Sequence, residues 1–118
     1  MCEDQNFLHA ALVIARVIST PDCKYICVDL GHKSIASEMS FPRVHFLNLP
    51  EAKQIKHSEE HLVLDVGDNS SISVGDVLYG IPMHICPTVA LHETASVVRQ
   101  NSYQEQWSVY ARKRLISV

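Results

Sequence analysis

The sequence predicts an all-β fold: a compact, barrel-like domain of about eight mostly antiparallel strands. Three observations carry that expectation. Apolar and polar residues alternate with period two over short runs rich in Val, Ile and Tyr, as they do in half-buried strands. Gly, Pro, Asp and Asn interrupt those runs at regular intervals, as in small barrels and sandwiches. Finally, 118 residues, 47% hydrophobic and 19% charged, suit one soluble globular domain spanning residues 1–118.

The elements follow in order. Residues 8–20 carry alanines that suit a helix, but Val13, Ile14, Val17 and Ile18 favour a strand. Pro21-Asp22 ends it in a turn. Residues 24–30 set Tyr25, Cys27 and Asp29 against Ile26, Val28 and Leu30, and Gly31 stops the run. Asp29 is expected to be buried and hydrogen-bonded, shaping the Gly31 turn. Residues 31–38 read as a loop or short helical turn. Residues 44–49, 52–57 and 61–66 read as three short strands, the last two around the acidic corner Ser58-Glu59-Glu60. A turn at residues 67–71 precedes Gly75-Asp76, a common entry into a barrel strand. Residues 88–99 and 106–112 supply the last strands, joined by the polar turn Asn101-Ser102-Tyr103.

The chemistry concentrates in residues 80–92, Gly-Ile-Pro-Met-His-Ile-Cys-Pro-Thr-Val-Ala-Leu-His. Imidazole and thiolate both ligate borderline-soft divalent metals such as zinc. Pro82 and Pro87 favour extended backbone in the residues before them. In an extended run His84 and Cys86 share one face, with Ile85 on the other. Spacing alone leaves two readings open: a pair holding an ion, or a small buried Cys beside an ordinary polar His. No second ligand pair exists, because Cys2, Cys23 and Cys27 are scattered. Six residues of strand would separate His92 from Cys86 by ~20 Å, so His92 joins only if the chain doubles back. Any bound metal then keeps open positions, as a Lewis acid needs.

The net charge is −3 with scattered signs, which argues against a nucleic-acid partner. The basic run Arg112-Lys113-Arg114 reads as a solvated end. Unpaired cysteine spacing, no secretory leader and no apolar run of membrane length point to a reducing cytoplasm. The abrupt start, Met1-Cys-Glu-Asp-Gln-Asn, reads as a chain that opens mid-protein.

Four blocks share a pattern: Val28-Asp29-Leu-Gly31-His-Lys33-Ser-Ile-Ala-Ser, Ser58-Glu-Glu-His61, Val74-Gly75-Asp76, and Pro82-Met-His84-Ile-Cys86-Pro87-Thr88-Val-Ala-Leu-His92. In this order, over about residues 11–112, they resemble the C-terminal β-domain of the D-threonine aldolase and D-serine dehydratase family. These are pyridoxal-phosphate lyases of the alanine-racemase fold type. The resemblance implies a divalent metal on His84 and Cys86: zinc where the second ligand is Cys, manganese or another hard cation where it is Asp. It also implies that the metal meets the β-hydroxyl of a D-amino acid, to ease loss of water or cleavage of the Cα–Cβ bond.

The family's cofactor lysine lies in an N-terminal (β/α)8 barrel of ~250 residues, for which this chain has no room. Lys24, Lys33, Lys53, Lys56 and Lys113 do not match the family's Schiff-base position. The expected partners are therefore that pyridoxal-phosphate barrel and a second subunit of a homodimer. No catalytic residue is assigned, and the chain alone is expected to be inactive. The rival expectation is a stand-alone binding module that keeps the fold without the chemistry. Among other residues, His32 and Lys33 face either solvent or the cofactor domain. Glu59, Glu60 and His61 form either a second shell for a metal ligand or a polar turn. His92 and Glu93 lie in the second shell or on a polar face. Trp107 and Tyr110 pack in the core or at a domain interface.

Overall fold

Eight strands form among the described residues, 8–113 and 115–117 of this computed structural model. Cys2 and Arg114 lie outside them. The strands are β1 (Val13–Ser19), β2 (Tyr25–Val28), β3 (Val44–Phe46), β4 (Lys53–His57), β5 (Leu62–Asp65), β6 (Val77–Pro82), β7 (Thr94–Arg99) and β8 (Ser102–Ser108). One short helix, α1 (Ile85–Ala90), lies between β6 and β7, and a 3-10 turn (Tyr110–Arg112) follows β8. The first six strands make one antiparallel sheet in the order β3-β6-β1-β2-β5-β4.

The predicted alternation sets the core. Ala15 and Val17 of β1, Ile26 and Val28 of β2, Val44 and Phe46 of β3, and Leu62 and Leu64 of β5 all point to one curled face. Leu30, Leu78 and Ile35 complete it. Strand β1 starts later than the alternation suggests, and Ala10 and Ala11 remain exposed. Asp29 corrects its expectation. It is exposed rather than buried, and its carboxylate accepts the Arg16 amide at 2.6 Å, beside the irregularity in the β1–β2 register.

The two edges of this sheet, β3 and β4, are joined by a side chain instead of a ladder. Gln54 of β4 accepts the Arg43 amide at 2.8 Å and donates to the Val44 carbonyl at 2.6 Å. A half-barrel is thereby closed by one amide group that satisfies two edge-strand backbone groups.

Residues 84–92 depart from the extended reading. His84 is extended, at φ −129° and ψ 97°, but the helix begins at the next residue. Pro87 sits in the first turn, where a missing N–H leaves no helical bond unmade. Thr88 falls in the run expected to be a strand, residues 88–99; its hydroxyl instead donates to the His84 carbonyl four residues back, at 2.7 Å. A buried hydrogen bond outweighs a propensity difference of a few tenths of a kcal/mol.

Strands β7 and β8 form a separate two-stranded sheet. Their turn is Gln100-Asn101, with φ of 50° and 60°, the geometry of a tight hairpin. The register puts Ala95 opposite Trp107, Val97 opposite Glu105 and Val98 opposite Tyr103. Val98 and Tyr103 therefore lie on one face and Ala95, Val97 and Trp107 on the other, beside Glu105; Trp107 is 56% exposed and Tyr103 62%. Neither Trp107 nor Tyr110 belongs to the core.

Replacing Gln54 with Leu leaves the Arg43 amide and Val44 carbonyl unpaired, and is expected to lower stability by about 1–3 kcal/mol. Gln54→Glu, which keeps only the acceptor, loses less. Urea denaturation of the three proteins gives the ranking.

Candidate functional site

The site is assembled by two segments that the curled sheet brings together: residues 31–38, after β2, and residues 84–92, around α1. The first is pinned against the turn at residues 58–60. His32 and Lys33 donate their amides to the Ser58 and Glu59 carbonyls at 2.9 and 3.1 Å. A Cβ on Gly31 would lie 2.0 Å from the Glu59 carbonyl oxygen, so only glycine permits this approach. Ile35 anchors the loop in the core.

Thr88 then clasps the loop to the helix. While its hydroxyl donates to the His84 carbonyl, it accepts the Ala36 amide at 3.1 Å. This is the one buried polar side chain among the described residues, 2% exposed, and both its hydrogen-bonding roles are filled. A second tie comes from His92, whose Nε2 donates to the Ser34 carbonyl at 2.8 Å.

The clasp delivers Glu38 to His84. The Glu38 carboxylate is hydrogen-bonded to His84 Nδ1. That bond holds the Glu38 carboxyl below the usual carboxylate range, helped by its own backbone amide and the Arg43 charge. An ionised carboxylate can only accept, so Nδ1 carries the proton and Nε2 is left for another partner. Cys86, two residues on, is a free and exposed thiol. The donor set is an oriented imidazole plus a thiol, which suits zinc. No group of three or more His, Cys, Asp or Glu side chains converges on one point among the described residues. His84 and Cys86 are thus at most a pair, and the extended run that would set both on one face is broken at Ile85, where α1 begins.

Beneath Glu38 lies a second polar cluster. Arg43 Nη1 donates to His57 Nδ1 at 2.6 Å, and His32 Nε2 is 3.4 Å from the same nitrogen. Arg43 Nε donates to the Met39 carbonyl at 2.9 Å. His57 Nε2 in turn donates to the Leu30 carbonyl at 2.9 Å. Since Nδ1 is an acceptor, His57 is neutral. Burial lowers its pKa, and the neighbouring His32 and Arg43 act in the same direction. The Arg43 carbonyl accepts the Met83 amide at 2.9 Å, which places this cluster beside His84 in the chain layout.

A scan of the sequence against known families matches residues 10–98 to the family described as "Putative serine dehydratase domain". The chain belongs to that serine dehydratase domain family. It is 30% identical to a D-threonine aldolase of an Arthrobacter species over 107 residues, which cover 90% of this chain and 28% of the aldolase. An uncharacterized Mycobacterium tuberculosis protein is 32% identical over 111 residues, covering 87% of this chain and 84% of that protein. The crystal structure of D-threonine aldolase from Filomicrobium marinum superposes with a TM-score of 0.81 at 29% identity, over 92% of this chain and 29% of the aldolase. The chain thus spans under a third of the two aldolases it matches. D-threo-3-hydroxyaspartate dehydratase shares the fold, at TM-scores of 0.68 and 0.66 and 19% and 20% identity, over 82% of this chain and about 30% of the dehydratase. It was solved with a histidine replaced by alanine and, metal-free, with a cysteine two positions further on replaced by alanine.

Within this family domain the structure sorts the expected residues. His84 stands extended just before α1 and meets Glu38, while Cys86 lies in the first turn of α1. Glu59 and Glu60 turn to the Lys33 ammonium, at 3.6 and 2.5 Å, so they form a polar turn and do not support His84. Glu93 pairs with Lys113 at 3.9 Å. Sequence reasoning missed Glu38, Arg43 and His57. Glu38 ends a loop whose path depends on the Thr88 clasp, and local pattern gives no sign of that.

Gly31→Ala is expected to force the loop off the 58–60 turn and to destabilise the domain by about 1–3 kcal/mol, measurable by thermal melting. His57 generates a pH dependence. Its folded pKa lies below its unfolded value, so between the two the unfolded chain binds more protons. Stability is then full above the ordinary imidazole range and is lost as pH falls through it. His57→Gln, which can still accept from Arg43 and donate to Leu30, is expected to flatten the melting temperature's decline between neutral and mildly acidic pH.

Proposed function

We propose that this chain is the metal-binding accessory domain of a pyridoxal-phosphate lyase acting on β-hydroxy-D-amino acids, of the D-threonine aldolase or D-serine dehydratase type. One observation carries the proposal: His84 is fixed by Glu38 through Nδ1, with the Cys86 thiol two residues away. His84 Nε2 and Cys86 Sγ hold a divalent cation, zinc in preference to manganese because one ligand is sulfur. Such a cation supplies Lewis-acid polarisation of a substrate hydroxyl. The chain's own residues place the ligands: Glu38 holds the Nδ1 proton, and Thr88 fixes the carbonyl of His84 and the loop that carries Glu38. A histidine and a cysteine at the same spacing are the residues replaced in the dehydratase variants, one of which was solved in a metal-free form.

The cofactor belongs to a partner. A Schiff-base lysine needs a lowered pKa. Here the Glu60 carboxylate raises Lys33 and the Asp65 carboxylate raises Lys24. The pyridoxal-phosphate lysine comes from a (β/α)8 barrel, whose ~250 residues fit within the larger share of the aldolases that this chain does not match. The exposed apolar side chains of the hairpin, Val98, Tyr103 and Trp107, are offered to that barrel, within a homodimeric enzyme of the cytoplasm.

A second reading has its own support. This chain covers 84% of the Mycobacterium tuberculosis relative, so the domain also occurs in a protein of nearly this size, as a separate binding module would. Metal content separates a working site from a retained fold. Untagged protein loaded with zinc and dialysed is expected to keep about one ion per chain. His84→Ala and Cys86→Ala should each weaken retention at least ~10-fold. Equal zinc in all three proteins would overturn the metal site.

A further inference from the structure

We infer that Glu38 is a positioning residue for the cation site: it sets the tautomer and ring orientation of His84, so that Nε2 presents a lone pair outward. The inference rests on the metal-site reading given above. It begins from His84, which is exposed and lies at a change of backbone state, extended at its own φ and ψ and helical from Ile85. No side chain caps the helix there. An imidazole in that place has two tautomers of similar energy and free rotation about its side-chain bonds, unless a partner selects one.

Glu38 is the partner the fold supplies. Its carboxylate accepts from Nδ1, which leaves Nε2 as the acceptor nitrogen of the neutral ring. The carboxylate is also not free to swing away. Two residues earlier, the Ala36 amide is held by the Thr88 hydroxyl, and that hydroxyl holds the His84 carbonyl in turn. Ser34 is held by His92. One buried hydroxyl thus fixes both ends of the Glu38–His84 hydrogen bond, 46 residues apart in sequence. The oriented ring then meets a cation without first paying the entropy of choosing a tautomer and a rotamer. The other carboxylates near this loop, Glu59 and Glu60, are bound to Lys33 and cannot substitute.

The experiment uses the full chain with zinc as the probe. Zinc affinity is measured by competition with a chelating indicator for the parent, Glu38→Gln, Glu38→Ala and His84→Ala. Nitrogen-15 NMR of the metal-free proteins reads the His84 tautomer directly. The parent is expected in the Nδ1–H form. Glu38→Gln and Glu38→Ala are expected to show a tautomer mixture and to bind zinc about 10–100-fold more weakly, with Glu38→Asp recovering part of the loss. Glu38 is exposed, so these variants fold, and their melting curves confirm it. If His84→Ala loses zinc while both Glu38 variants keep the parent's affinity and tautomer, the positioning role is wrong and the metal site stands. If His84→Ala binds zinc as the parent does, the site itself falls and the positioning role with it.

Discussion

A single side-chain amide closes this domain. Six strands curl around one core, but β3 and β4 at the two edges form no ladder with each other. Gln54 spans them, accepting from the Arg43 amide and donating to the Val44 carbonyl. The site depends on that closure. Arg43, held at its amide by Gln54, accepts the Met83 amide on its carbonyl and so aligns β4, β3 and the end of β6 in one row. His84 follows immediately. Edge closure, the arginine and the candidate ligand are three consecutive steps along hydrogen-bonded backbone.

The same arginine governs the electrostatics behind the site. Its guanidinium meets two imidazoles and a main-chain carbonyl, and it lies 4.9 Å from the Phe41 ring. Protonating His57 would set a second cation against it at hydrogen-bond distance, which is why burial and the two neighbours keep that ring neutral. The Arg43 charge in turn helps hold Glu38 ionised. An ionised Glu38 is what obliges His84 to carry its proton on Nδ1. Packing beneath the sheet end and ligand chemistry above it are linked through one carboxylate.

Much of the fold could be read from the residues because period-two burial is local. Ile26, Val28 and Leu30 turn inward as their alternation with Tyr25, Cys27 and Asp29 implies. Three features were not legible, each for a non-local reason. Thr88 and Val89 look like strand, yet Thr88 becomes helical because its hydroxyl finds a carbonyl four residues back and an amide from a loop 52 residues away. Asp29 looks like a buried polar residue in a strand, but an irregular register between β1 and β2 turns it out to cap a free amide. Glu38 lies in a polar loop with no periodicity at all. The resemblance of four sequence blocks pointed to His84 and Cys86; only folding brought the carboxylate to His84.

The hairpin shows a different kind of dependence. A two-stranded ribbon is marginal by itself in water, and this one pairs with no other strand. Its apolar residues fall on both faces: Val98 and Tyr103 on one, with Thr94, Ser96 and Gln106, and Ala95, Val97 and Trp107 on the other, with Glu105. Val98, Tyr103 and Trp107 are largely exposed. An exposed ring gains little, whereas a covered one buries on the order of 150–250 Å². The match to D-threonine aldolase covers 92% of the chain, more than remains when the hairpin is set aside, so the superposition extends into it. The six-stranded sheet makes the core and carries the loop and helix of the candidate site, while the hairpin contributes no residue to that core.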